Sequence, residues 1–236
     1  MQAWILNVIS EQRLSANTKA NVVKTLLFIV CLLPLIYLVW GLLTDNLGAN
    51  PVETLTRSSG LWALRFLLIT LLVSPIRWYT GLTAIVKYRR MLGLYAFFYA
   101  SVHMLLYLGL DQLFDIQDIW KDILKRPFIT VGFISFILLL PLVMTSTNKM
   151  MKRLGGKRWK RLHRLTYVIA TLSCVHFLML VKADIREPII YMILLSFLFS
   201  IRLFHSLNKK SWSAAEFFRK LISNTVKSWC ELTISQ

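Results

Sequence analysis

Acidic side chains are scarce in this chain: 11 Asp and Glu stand against 28 Lys and Arg in 236 residues. None of the 11 falls inside an apolar run long enough to cross a bilayer. Ion transporters and proton pumps generally need ionisable groups there, so the pattern argues against those classes. Cysteine is sparse too. Cys31, Cys174 and Cys230 are scattered, with no CxxC pair and no disulfide framework. Cys31 and Cys174 fall in apolar runs and read as small hydrophobes. There is no GxGxxG and no P-loop, hence no recognisable nucleotide-binding domain.

What the chain has is apolar length. Hydrophobic residues make up 56% of it and the mean hydropathy is +0.59. A soluble domain is ~45–50% apolar and does not collect its apolar residues into blocks of about 20. The reading is an all-α, polytopic membrane protein, a six-helix transmembrane bundle. The spans are expected at about 21–43, 60–76, 91–110, 128–145, 162–181 and 188–204. Residues 1–20 read as a cytosolic lead-in, 21–207 as the six-span domain and 208–236 as a cytosolic tail. The first apolar run is long enough to stay as a span rather than be cleaved as a signal peptide. Between spans three and four, residues 111–126 place Leu113, Ile116, Ile119, Trp120, Ile123 and Leu124 near helical spacing, with acids between them. That predicts an amphipathic helix on the membrane surface. No internal repeat is visible.

Six spans sort the charge. One side takes the N-terminus, the second and fourth connections and the C-terminus. It carries 21 basic residues and three acids, against seven basic residues and eight acids on the other side. Basic excess marks the cytosolic face, so both termini are expected there. The sorting also accounts for the net charge of +17 without nucleic acid.

Two histidines lie deep in apolar spans. Counted from the cytosolic ends of spans three and five, His103 and His176 are both ~18–21 Å into a ~30 Å core. An ionisable residue at such depth is a functional site by default. Two imidazoles at one depth on parallel helices suit the two axial positions of a haem iron. The bland reading is a hydrogen bond across helices. His163, 13 residues before His176, sits at the cytosolic interface. It would ligate a second iron, bind a propionate or be solvated. Arg89 and Arg90 open span three, and Arg161 and Arg164 flank the opening of span five. Their guanidinium forks suit haem propionates or a flavin phosphate. Ordinary positive-inside anchoring is the alternative.

Three stretches carry a resemblance: RSSGLWALRFLLITLLVSPIRWY, YRRMLGLYAFFYASVHMLLYL, and RPFITVGFISFILLLPLVMTSTNKMMKRLGGKRWKRLHRLTYVIATLSCVHF. With the RRxLGL and GKRWxxLHRLxY motifs they closely resemble the MsrQ family, over about residues 20–208. These are haem-binding membrane subunits of bacterial protein-methionine-sulfoxide reductase systems. The broader likeness is to ferric-reductase-like transmembrane domains. Those usually carry four histidines and a cytosolic flavin module; here Arg90 stands at the fourth position and the module is missing. The resemblance implies a subunit in the bacterial inner membrane that draws electrons from the quinone pool. It would bind haem b, one or two, and FMN. It would pass electrons to MsrP, a periplasmic molybdopterin reductase that repairs oxidised methionines. The family histidines fall on His103, His163 and His176. Two other readings stand beside it: a stand-alone ferric or flavin-coupled reductase fed by a cytosolic flavin reductase, and a non-redox membrane scaffold.

Overall fold

The computed structural model describes residues 2–181 and 184–208; of the expected 208–236 tail, everything after 208 lies outside the described residues. All regular structure among the described residues is helical. Six helices are long and apolar enough to cross a membrane. Ile189 ends one compact unit, and the described chain from Ile190 on belongs to a second.

Helix α1 runs Gln2–Leu43, so the expected lead-in is continuous with the first span. Pro34 lies inside it. Its ring has no N–H and displaces the carbonyl one turn back, which opens the backbone ladder. A tyrosine from α3, Arg89–Leu106, fills the gap. The Leu35 N–H donates to the Tyr99 hydroxyl (3.1 Å), and that hydroxyl donates to the Cys31 carbonyl (2.8 Å). One turn away the Tyr95 hydroxyl donates to the Phe28 carbonyl (2.9 Å). Elsewhere α1 turns most of its large apolar side chains outward, as a lipid-facing helix does.

Helix α2 spans Pro51–Thr80, nine residues earlier than the 60–76 reading. The cause is local. Asn50-Pro51 reads as a turn, but Asn50 caps the helix by accepting from the Glu53 N–H, and Pro51 takes the first helical position. Gly81, at φ 70°, closes the other end. α2 is the most buried of the spans. It packs most extensively on α3 (Arg89–Leu106), through a cluster in which Phe66 stacks on Tyr99 with centroids 5.3 Å apart. Arg65 lies over the Trp62 ring at 4.7 Å.

α3 continues into a wider π-turn at Tyr107–Asp111. Leu113 and Phe114 follow at φ 49° and 60°. Two bulky residues in the left-handed region are strained, and they turn the chain into α4, Ile116–Lys125. α4 is amphipathic but shorter than the 111–126 reading, because Asp115 caps it by accepting from the Gln117 and Asp118 N–H groups. Asp122 anchors it, accepting from Gln112 Nε2 (2.8 Å) and pairing with Arg126 (3.3 Å). Ile116, Trp120 and Leu124 point outward.

α5 runs Pro127–Met144. The basic connection after it is mostly helical, α6 at Asn148–Leu154 and α7 at Gly156–Leu162, broken at Gly155 with φ 75°. α8 follows at Leu165–Leu180 and makes its largest interface with α5. α9 runs Arg186–Asn208. Its first-turn Glu187 pairs with Arg57 at the start of α2 (2.9 Å).

Candidate functional site

Helices α2, α3, α5 and α8 enclose a cavity of about 550 Å³. Its walls are mainly apolar, and the two deep histidines stand in them. His103 comes from α3 and His176 from α8. Their ring centroids are 6.2 Å apart and the ring planes are inclined by 75°.

Each ring is held the same way. His103 Nδ1 is 2.8 Å from the Thr56 carbonyl oxygen, and His176 Nδ1 is 2.6 Å from the Phe128 carbonyl oxygen. A carbonyl only accepts, so Nδ1 carries the proton in both rings. Nε2 is then the lone-pair nitrogen, as a metal requires. A glycine makes room for each ring. A Cβ on Gly60 would lie 3.0 Å from His103 Nδ1, and one on Gly132 would lie 2.8 Å from His176 Nδ1.

These residues fit an iron that brings its own equatorial ligands. Among the described residues no three metal-ligating side chains converge. Two imidazoles bound to opposite faces of one metal, at ~2.0–2.1 Å per bond, carry ring centres roughly 6 Å apart. The Thr56 hydroxyl is buried with no hydrogen-bond partner and lines the same cavity. Toward one end the wall turns polar, with Arg57, Tyr107, Asp111, Gln112 and Arg126.

The other predicted residues lie elsewhere. His163 sits in the turn between α7 and α8. Trp159 stacks on it with centroids 4.0 Å apart, and its Nε2 is 3.3 Å from the Thr145 hydroxyl. The charges of Arg89 and Arg90 act on that ring. Arg89 donates to the Ser74 hydroxyl (3.2 Å) and Arg90 to Asn148 Oδ1 (2.6 Å). Arg161 and Arg164 are exposed. Neither His163 nor any of these four arginines lines the cavity.

A chain with paired deep histidines can be set beside known proteins. The family described as ferric reductase like transmembrane component matches residues 59–174. A protein of Herminiimonas arsenicoxydans named protein-methionine-sulfoxide reductase heme-binding subunit MsrQ is 48% identical, over 81% of this chain and 88% of its own length. The chain belongs to the MsrQ family. Proteins of the same name from Azospira oryzae and Xanthomonas euvesicatoria are 49% and 47% identical, over 77% and 84% of this chain. The match to MsrQ proteins covers 78–94% of those three relatives, so the likeness is to nearly whole subunits. The MsrQ fold here is a multi-pass helical membrane protein. Sequence reasoning missed Gly60, Gly132 and the polar wall residues Arg57, Gln112 and Arg126. A lone glycine in an apolar helix gives no signal until the histidine it faces is known.

Proposed function

We propose that this chain is the haem-bearing electron-transfer subunit of a methionine-sulfoxide reductase system. Its membrane domain is residues 21–207, with the lead-in and tail cytosolic, in a bacterial inner membrane. The carrying observation is the His103–His176 pair, with both Nδ1 atoms tied to carbonyls and centroids 6.2 Å apart inside an apolar cavity. Haem b held there would supply a one-electron couple. The chain's part is to supply two fixed lone pairs, exclude water with apolar walls and raise ring basicity through the Nδ1 hydrogen bonds. Arg57 and Arg126, each also paired with a carboxylate (Glu187 and Asp122), offer guanidinium donors at the polar end of the cavity, where carboxylates of a bound macrocycle would be met.

His163 with Arg89 and Arg90, bracketed by Arg161 and Arg164, is the second site, on the cytosolic side. Guanidinium forks suit the phosphate of FMN, and His163 would serve there or as ligand to a second haem. Electrons enter from the quinone pool. They leave on the α4 side to a periplasmic molybdopterin reductase of the MsrP type, for which the exposed acids Asp115 and Asp118 offer a docking face.

The test is the absorption spectrum of the purified protein, oxidised and dithionite-reduced, with haem counted per chain. A b-type spectrum that disappears in His103→Ala and in His176→Ala is expected. A colourless protein after expression with ample iron refutes the reading and favours a scaffold. Iron reduction by the purified chain with a flavin reductase alone would favour the stand-alone reductase. His163→Ala decides between one haem and two.

A further inference from the structure

The cavity wall is built twice. All seven α2 residues that line it, from Thr56 to Leu67, have a lining counterpart 72 positions later on α5. Thr56 answers to Phe128, Gly60 to Gly132 and Leu67 to Leu139. On the partner helices the offset is 73. His103 answers to His176, and Ala100 and Met104 of α3 and Tyr107 of the π-turn have lining counterparts on α8. The hydrogen bonds obey the same rule, since each histidine reaches back 47 or 48 residues to a carbonyl. So do the near-contacts. The Cβ position of Gly60 meets Nδ1, Cε1 and Cγ of its histidine at 3.0, 3.1 and 3.5 Å, and that of Gly132 meets the same atoms at 2.8, 2.9 and 3.3 Å.

We infer that the site is a duplicated helix-pair unit, α2–α3 and α5–α8, in which Gly60 and Gly132 are equivalent positioning residues for the two axial histidines. α2 and α5 run in one sense and α3 and α8 in the other, so the relation is a two-fold rotation about an axis parallel to the helices. Each unit contributes one carbonyl, one glycine four residues on and one histidine. The glycine lets the ring come close enough to the neighbouring helix to donate to its carbonyl. That bond fixes the tautomer and aims Nε2 into the cavity. The wall residues outside the duplication are Ala96 of α3 and Asp111, Gln112 and Arg126, the last three in the stretch between α3 and α5. The inference deepens the haem reading and rests on it.

The experiment uses the full chain with Gly60→Ala, Gly132→Ala and, as control, Gly93→Ala, whose Cβ would meet Thr70 at an ordinary 3.8 Å. Haem per chain, midpoint potential and the low-spin ferric EPR spectrum are read for each, beside detergent-solution monodispersity. Both site variants are expected to bind haem ~10–100-fold more weakly, as loss of a ligand's hydrogen-bond partner does, and to change the EPR g-values. Gly132→Ala, with the closer approach, is expected to be the worse. Gly93→Ala is expected to match the unsubstituted protein. Unchanged haem content and g-values in both site variants overturn the inference and leave the haem reading standing. A haem-free unsubstituted protein overturns both. If a site variant aggregates, the Nδ1 protons are read by ENDOR in the unsubstituted protein. Two exchange-resistant, hydrogen-bonded protons support the inference, and one or none refutes it.

Discussion

Replacing Tyr99 with Phe removes one oxygen atom that closes the gap at Pro34. The side chain is fully buried, at 0% exposure, and its hydroxyl takes part in two hydrogen bonds to the α1 backbone. Interhelical hydrogen bonds in membranes average about 0.6 kcal/mol, with a ceiling of about 1.7. A buried group left unpaired in a protein interior costs about 1–3 kcal/mol. Tyr99→Phe strips a partner from both a carbonyl and an N–H, so the expected loss is about 1–2 kcal/mol. Tyr95→Phe loses a single bond, to Phe28, and should cost about 0.6 kcal/mol. The decisive measurement is a double-mutant cycle with Pro34→Ala, read by reversible unfolding in bicelles. Alanine restores an N–H and lets the α1 ladder close, so the Leu35 N–H can bond the Cys31 carbonyl directly. The Tyr99→Phe penalty should then shrink by at least half. A penalty that is the same with proline or with alanine at position 34 would show that the tyrosine does not compensate the proline.

Asp122, 16% exposed in its side chain, gathers Gln112, Tyr107 and Arg126. Asp122→Ala is expected to speed amide exchange across residues 112–125 by ~10-fold or more, since unpairing buried groups costs about 1–3 kcal/mol. Asp115→Ala should fray the start of α4 by about 1 kcal/mol, the usual worth of an N-cap, seen as faster exchange at Gln117 and Asp118 with α5 unaffected. The Arg57–Glu187 pair is about half exposed on both sides. Glu187→Gln should therefore cost under about 1 kcal/mol of stability, and less at high salt. The same variant frees the Arg57 guanidinium and should raise the midpoint potential of bound haem; no change in potential would separate Arg57 from the cavity's charge.

The meeting of His103 and His176 was legible because helix rise is constant: two residues at equal distance from the same face can meet if their helices are neighbours. The pairing of His103 and His176 follows from that. Helix starts were less legible. Asn50-Pro51 carries one chemistry for a turn and for a capped helix, and only the following residues' packing decides between them. The basic connection from Thr147 to Arg161 holds two short helices separated at Gly155, which its run of Lys and Arg does not announce. The duplication was invisible for a different reason. Over residues 56–67 and 128–139 only glycine and the closing leucine are identical. Apolar walls keep volume and spacing, not letters, so the two copies of one frame differ everywhere except where a ring needs space and where the helices close. Of the four arginines, Arg89 and Arg90 lie near enough for their charges to reach His163, and none lines the cavity.

A two-fold axis running along the helices makes the two flat sides of the cavity equivalent. A macrocycle held between the histidines would therefore meet the same ligand, the same carbonyl and the same glycine on either side, and the frame alone would not tell its front from its back. Haem b is not symmetric front to back, because its vinyl and methyl edges exchange when it is turned over. Left to the duplicated frame, the two insertion isomers would be equally populated. Any choice between them would fall to the places where the copies differ, among them Arg57 opposite Ile129, Leu61 opposite Phe133, Met104 opposite Phe177 and Tyr107 opposite Leu180, all of them in the wall. Handedness of a loaded site would thus be decided by side-chain bulk on both helix pairs, and exchanging the unlike wall residues between the two copies is the change expected to invert it.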